Sequence, residues 1–153
     1  MKHDRRPRPR SLALAAALLL SLLQLGCQDE PPVVEPEPEA FAAPELSVAQ
    51  VAGLVEAGTA VPVDANSPET RQAFGTVPHA RLLSSSSQYD VAAELPPEHS
   101  TKLVFYCANE DCRASDGAAA RAFAAGYTDV HVMRAGITGW RDAGKPTVPA
   151  PAS

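Results

Sequence analysis

Two cysteines separated by four residues are the side chains best suited to chemistry in this 153-residue chain. Cys107 ends a continuously apolar run, residues 103–107, and Cys112 lies in the polar stretch that follows it. A thiol between a buried strand and the start of a helix lies where backbone amides and the helix N-terminus lower the pKa of a thiol. The pattern therefore predicts a thiolate nucleophile at Cys107 in preference to a buried structural cysteine.

Helices and strands are predicted to alternate around Cys107. Ser47 is a typical helix N-cap, Gly58 is a typical helix stop, and Pro68 suits the first turn of a second helix. Strands are predicted over residues 61–64, 77–83, 103–107 and 129–133, and further helices over residues 89–95, 115–125 and 137–143. This alternation predicts an α/β fold with a mostly parallel sheet, in which ligands gather beyond the carboxyl ends of the strands.

Residues 1–26 have the pattern of an export signal. Basic residues precede an apolar run, residues 12–25, which is shorter than the roughly 20 residues that span a bilayer. The run ends at Gly26-Cys27, which resembles a bacterial lipobox and predicts lipidation of Cys27. We expect an exported protein that is anchored by lipid to a bacterial membrane, facing the periplasm, with the outer membrane as the default.

Three further segments follow from composition. Residues 28–44 hold five prolines and five acids, so residues 27–44 are predicted to be the lipidated cysteine and an extended acidic tether. The folded domain is predicted over residues 45–146, and residues 147–153 are predicted to be a disordered tail.

The charge of the chain excludes one class of partner. Without residues 1–26, the chain keeps 8 basic and 17 acidic side chains, a formal net charge of −9. Such a protein has no basic stripe with which to displace counterions from phosphates, so nucleic acid is not an expected partner.

The order of several motifs across residues 46–146 resembles a rhodanese-like domain, the single-domain form of the sulfurtransferases. The matching pieces are Val63–Glu69, Gly75–Ala80, the strand into Cys107, Ala118-Ala119, Gly126-Tyr127, Gly136-Ile137-Thr138-Gly139-Trp140 and Ala143–Pro146. The resemblance implies a three-layer α/β/α domain around the sheet. It also implies a small sulfur-containing anion or a thiol acceptor as the partner. No cofactor is expected, and no metal site either, because two thiols without a nearby histidine are an incomplete zinc set; the sequence identifies no protein partner.

The resemblance also implies roles for individual residues. Cys107 matches the cysteine that attacks a sulfane sulfur donor and becomes a persulfide. The loop after it would bind the anionic substrate with its amides and with Ser115. Asp64 matches an aspartate at the exit of the second strand, for which a structural role is expected. The predicted loop set is Ala108, Asn109, Glu110, Asp111, Cys112, Arg113, Ala114 and Ser115.

This loop departs from the family pattern in length and in charge. Ser115 lies eight places after Cys107, two more than is typical, and the usual arginine position holds Ala114, with Arg113 beside it. Glu110 and Asp111 oppose formation of a thiolate and repel thiosulfate, which is a dianion. Efficient turnover of thiosulfate is therefore not expected.

Three alternatives to sulfur transfer stay open. Cys107 and Cys112 could form a thiol–disulfide redox pair, in which Cys112 resolves a persulfide or a sulfenate on Cys107. Five residues lie between Cys107 and Arg113, as in cysteine-dependent phosphatases and arsenate reductases, although Glu110-Asp111 argues against that chemistry. A non-catalytic binding module is the third, because a fold does not fix a function. No role is expected for His79, His99 or His131.

Overall fold

The computed structural model describes residues 41–150. The predicted export signal, Cys27, most of the tether and residues 151–153 lie outside the described residues. The elements are α1 (Val48–Glu56), β1 (Val61–Asp64), α2 (Pro68–Phe74), β2 (Arg81–Leu82), α3 (Val91–Glu94), β3 (Leu103–Tyr106), α4 (Ala114–Ala124), β4 (Val130–Val132) and α5 (Gly136–Asp142). Within residues 41–150, no helix has the length and apolar character needed to cross a bilayer.

The four strands form one parallel sheet in the order β2-β1-β3-β4. All four residues of β3 are buried, as expected for a central strand that is covered on both faces. Leu103 and Phe105 pack into a core with α4, while Val104 and Tyr106 pack into a second core with α1 and α5. The predicted α/β/α layering is therefore confirmed, and β3 leads directly to the site.

Local sequence signals explain where the helices begin. At α1, Ser47 and Gln50 form a reciprocal capping box. At α2, Ser67 caps the helix and Pro68 occupies its first turn, where a missing N–H costs nothing. These caps fix the connections that lead into and out of β1.

Two predicted elements are shorter in the structure. The predicted strand 77–83 is reduced to Arg81–Leu82, because Pro78 cannot donate to a sheet and His79 has a positive φ of 63°. The predicted helix 89–95 is a single turn, Val91–Glu94, whose first amides are capped by Asp90.

The ordered domain extends past residues 45–146 at both ends. The carbonyl of Pro44 accepts from the amide of Val132 at 3.0 Å, and the ring of Phe41 stacks on that of Phe123, with centroids 4.0 Å apart. At the other end, Val148 forms an antiparallel bridge with Thr76. Part of the predicted tether and the start of the predicted tail thus pair with the domain.

Candidate functional site

Cys107 is the first residue after β3, at the carboxyl edge of the sheet. It was predicted as the last residue of that strand; the strand ends one residue earlier, at Tyr106. The side chain is 2% exposed. The site is therefore built at the edge where parallel sheets collect ligands.

The start of α5 holds the backbone on which Cys107 sits. The amide of Ile137 donates to the carbonyl of Cys107 at 2.9 Å, and the amide of Thr138 donates to that of Ala108 at 3.0 Å. Gly136 has a φ of 64°, and a Cβ there would lie 2.6 Å from the carbonyl of Ala108. Only glycine allows this approach, which gives a physical reason for the glycine in the motif at residues 136–140.

The sulfur of Cys107 has three neighbours in the loop and in α4. It forms a disulfide with Cys112, and the Cα atoms of the two residues lie 6.2 Å apart. This separation is within the roughly 4.4–6.8 Å that disulfides span. The carbonyl of Cys112 lies 3.1 Å from the Cys107 sulfur and the hydroxyl of Ser115 lies 3.3 Å from it. The predicted loop residue Ser115 is therefore beside the sulfur of Cys107 and is itself buried.

Asn109 organises the loop between the two cysteines. Its side-chain carbonyl accepts from the amide of Asp111, and its main-chain carbonyl accepts from the amide of Cys112, both at 3.2 Å. These two amides therefore donate within the loop, and a carbonyl, that of Cys112, faces the sulfur. In the disulfide state, the loop does not turn these two amides toward Cys107 as an anion cradle would require.

The charged residues near the loop pair with one another or face solvent. Glu110 and Asp111 are exposed. The guanidinium of Arg113 lies 3.4 Å from the carboxylate of Asp116, and its side chain is 74% exposed. Arg134 binds both oxygens of Asp116 at 2.7 Å. This contact lowers the pKa of Asp116, and Asp116 in turn raises that of Arg134. Arg113, which follows Cys112 in sequence, is thus paired with Asp116 in the first turn of α4.

Asp64 lies at the end of β1 within a buried network. Its carboxylate accepts from the hydroxyl of Tyr106 at 2.7 Å, from the amide of Asn66 at 2.8 Å and from Arg71 Nε at 3.2 Å. Arg71 also donates to the carbonyls of Asp64 and Leu83. Burial, with the negative charge of Asp64, raises the pKa of Tyr106 well above its ordinary value. The contacts tie two strands to α2, the geometry of a structural support.

Asn66 is an unexpected polar residue at this edge. The amide of Ala65 donates to the carbonyl of Tyr106 at 2.9 Å, so Asn66 lies in the strand connection beside Cys107. The side chain is 8% exposed, and its Nδ2 is buried without a hydrogen-bond partner. A buried polar atom without a partner is rare in folded proteins.

The three histidines among residues 41–150, for which no role was predicted, lie away from Cys107. His131 lies in β4 and contacts Asp129 and Lys102, both of which precede the strands, at the edge opposite Cys107. His79 and His99 are exposed. Among residues 41–150, no group of three or more His, Cys, Asp or Glu side chains is placed to hold a metal ion.

Sequence reasoning missed Arg71 and the role of the start of α5. Nothing in the local pattern around Arg71 marks it as buried, because it lies on a short polar helix and its partners are distant in sequence. The motif at residues 136–140 carried a signal, since a glycine before a short helix invites a close backbone approach.

Comparisons with known proteins agree with this architecture. The model of the rhodanese-like domain family matches residues 47–143. No curated protein sequence matches the chain.

Three solved structures illustrate the likeness. A thiosulfate sulfurtransferase from Pseudomonas aeruginosa is 25% identical, with a TM-score of 0.58; the match covers 70% of this chain and 20% of that one. A human single-domain sulfurtransferase is 26% identical, with a TM-score of 0.54 and coverage of 66% and 97%. A Rhodopseudomonas palustris protein of unknown function, named a possible tyrosine phosphatase, is 23% identical; its TM-score is 0.57 and its coverage is 74% and 99%.

The last of these supports the fold alone. The family model spans well over half of the chain, and the four-stranded parallel sheet places Cys107 at its carboxyl edge. The chain belongs to the rhodanese-like domain family.

Proposed function

We propose that this protein is a sulfur carrier or sulfurtransferase that holds sulfane sulfur as a persulfide on Cys107. One observation supports the proposal most strongly. The sulfur of Cys107 lies at the carboxyl edge of β3, 3.3 Å from the hydroxyl of Ser115, on a backbone that α5 holds in place. The names of two similar structures, both sulfurtransferases, agree with it.

The proposed reaction begins from the reduced protein. The Cys107 thiolate attacks the outer sulfur of a sulfane donor, a new S–S bond forms, and the rest of the donor leaves with the electrons of the broken bond. With thiosulfate, the products are the Cys107 persulfide and sulfite. The hydroxyl of Ser115 is placed to donate a hydrogen bond to the sulfur anion.

The charge around the loop selects among donors. Glu110 and Asp111 are exposed beside the site, and the nearby Arg113 is paired with Asp116. A dianion is therefore repelled more than a singly charged or neutral donor. We propose a hydropersulfide or a similar weakly charged sulfane as the donor and a thiol as the acceptor.

The release of sulfite tests the first step, whatever becomes of the persulfide. The reduced full chain, mixed with excess thiosulfate, should release one sulfite per protein in a single phase, which is slow because the loop carboxylates repel this dianion. Cys107→Ala should abolish this phase, whereas Cys27→Ser, the matched change of the third cysteine, should leave it unchanged. A burst that survives Cys107→Ala would disprove the proposal.

The disulfide itself favours a second candidate function, that of a thiol–disulfide redox element using Cys107 and Cys112. In this role, the pair would exchange electrons with dithiols directly and would need no sulfur donor. The two functions differ in one readout: the redox element cycles between dithiol and disulfide without ever releasing sulfite from thiosulfate. A phosphatase is less well supported, because Arg113 pairs with Asp116 and its side chain is largely exposed.

The proposal includes export and a lipid anchor on Cys27. The apolar run before Cys27 and the acidic, proline-rich residues after it support this location. Mass spectrometry of the membrane fraction should find a lipidated N-terminal cysteine at position 27. Recovery of the chain in the soluble fraction with residues 1–26 still attached would contradict it.

A further inference from the structure

A sulfur carrier that passes its sulfur to an external acceptor does not need Cys112. We infer that Cys112 is an internal acceptor: its thiolate attacks the Cys107 persulfide, expels the outer sulfur as sulfide and leaves the Cys107–Cys112 disulfide. The inference rests on the proposed persulfide at Cys107. It makes the protein a reductase of sulfane sulfur, with sulfide as the product.

The loop geometry carries the inference. The two Cα atoms lie 6.2 Å apart, and both cysteines lie in the loop between the end of β3 and the start of α4. Asn109 folds the loop back by accepting the amides of Asp111 and Cys112, so that Cys112 faces Cys107. This turn lies in a loop that is two residues longer than the typical family loop, and it brings the second thiol to the first.

The product depends on which of the two sulfurs of the Cys107 persulfide is attacked by Cys112. Attack on the outer sulfur of the persulfide would only move the persulfide to Cys112. Attack on the Cys107 sulfur, the atom that the structure joins to Cys112, breaks the bond to the outer sulfur. That sulfur leaves as hydrosulfide with the bonding electron pair. The sulfane sulfur is reduced, the two cysteine sulfurs are oxidised, and atoms and charge balance.

The disulfide must then be reduced before another turnover. Cys107 is 2% exposed, whereas Cys112 is only partly buried. An external thiolate therefore reaches the Cys112 sulfur first and expels the Cys107 thiolate, which is the form needed for the next attack. A dithiol reductant completes the exchange, ending as its own disulfide. A reaction that supplies such a dithiol must accompany this protein.

Trypsin provides a direct readout, because cleavage after Lys102 and Arg113 releases residues 103–113, which contain both cysteines and exclude Cys27. The full chain is reduced, freed of reductant under anaerobic conditions and mixed with thiosulfate. The wild type should release one sulfide per protein, and its peptide should be two hydrogens lighter than the reduced form. A sample without thiosulfate should keep the reduced mass, which excludes oxidation by air.

Cys112→Ser is the matched variant, since it removes only the attacking sulfur. It should release no sulfide, and its peptide should be one sulfur heavier. The inference is overturned if the wild type keeps a stable persulfide, or if Cys112→Ser releases sulfide as the wild type does. If Cys112→Ser gains no sulfur from thiosulfate or from a hydropersulfide, the persulfide proposal fails first, and the inference fails with it.

Discussion

The ends of β1 and β3 lie side by side in the sheet, yet they are built in opposite ways. At the end of β1, Asp64 is fully buried and accepts hydrogen bonds from three donors on separate parts of the chain. At the end of β3, Cys107 bonds to Cys112 in its own loop, and that loop satisfies two of its amides internally through Asn109.

This difference in contacts gives the end of β1 a structural role and leaves the end of β3 for the proposed chemistry. The contacts of Asp64 connect strands and α2, so breaking them disturbs the whole domain. Helix α5 holds the backbone of Cys107 and Ala108, but the hydrogen bonds of Asn109 with Asp111 and Cys112 stay within the loop, so this part can change its bonding without disturbing the sheet. The proposed persulfide chemistry fits this arrangement, because one side of the site must stay fixed while the sulfur changes its bonding.

Removing the carboxylate of Asp64 should have the largest effect. In Asp64→Ala, the guanidinium of Arg71, 10% exposed, is left buried without its charged partner. We expect the free energy of unfolding to fall by about 3–5 kcal/mol, measured by urea denaturation. Asp111→Ala, an exposed acid of the loop, is the matched control and should change it by less than about 0.5 kcal/mol.

Tyr106→Phe provides the same test if Asp64→Ala does not fold. It removes one donor to Asp64 and the acceptor of the Val77 amide, and it should cost about 1–3 kcal/mol. Equal stability of both buried variants and the wild type would remove the contrast between the two strand ends.

Reduction of the Cys107–Cys112 disulfide should have an intermediate effect. The bond closes a loop of only five residue steps, so the chain-entropy contribution is about 2 kcal/mol. Urea denaturation with and without a dithiol should show this loss in the wild type and none in Cys112→Ser. A larger loss, comparable to that of Asp64→Ala, would mean that the loop supports the fold after all.

The ion pair of Asp116 and Arg134 should show a smaller, pH-dependent effect. Hydrogen bonds from Arg134 hold the pKa of Asp116 below its ordinary 3.8 in the folded protein. The stability gained is therefore present above the pKa of the unfolded state and is lost as pH falls through the folded one. Because Asp116 is 34% exposed, water screens the pair, and Asp116→Asn should cost less than about 1 kcal/mol at neutral pH.

Unfolding curves across the acid range check this prediction. The difference between Asp116→Asn and the wild type should shrink as pH falls below 3.8. A difference that stays constant with pH would assign the effect to lost packing.

Neutralising the loop carboxylates should have the smallest effect. Glu110→Gln together with Asp111→Asn removes two negative charges beside Cys107. The sulfite burst from thiosulfate should then be roughly threefold faster at low salt, with less gain at high salt. Glu69→Gln, an exposed acid on α2, is the matched control. An unchanged rate would mean that charge does not limit the choice of donor.

Much of the fold could be predicted from the sequence because its signals are local. The apolar run into Cys107 gave β3, and the caps at Ser47 and Ser67 gave the starts of α1 and α2. The strand near residue 81 was overestimated, since apolar residues around Pro78 pack into a core without joining the sheet. The pairing of Glu45 and Val148 with residues far away in sequence cannot be predicted from the residues next to them.

The site was predicted less completely, because part of it depends on backbone conformation and on contacts between residues that are separated in sequence. Cys107, Cys112 and Ser115 could be proposed from their spacing and from the family resemblance, and the structure brings them together. The inward-facing carbonyl of Cys112 depends on the backbone conformation of the loop. The burial of Arg71 depends on Asp64 and Leu83, which lie 7 and 12 residues away.

The mass of residues 103–113 in the Cys112→Ser chain tests the central claim most directly, because no second thiol in this peptide can remove the sulfur. After incubation of the reduced chain with a sulfane donor, either thiosulfate or a hydropersulfide, we predict a peptide that is one sulfur heavier. Treatment with a reductant should return it to its starting mass. A peptide that keeps its reduced mass with both donors would contradict a persulfide on Cys107.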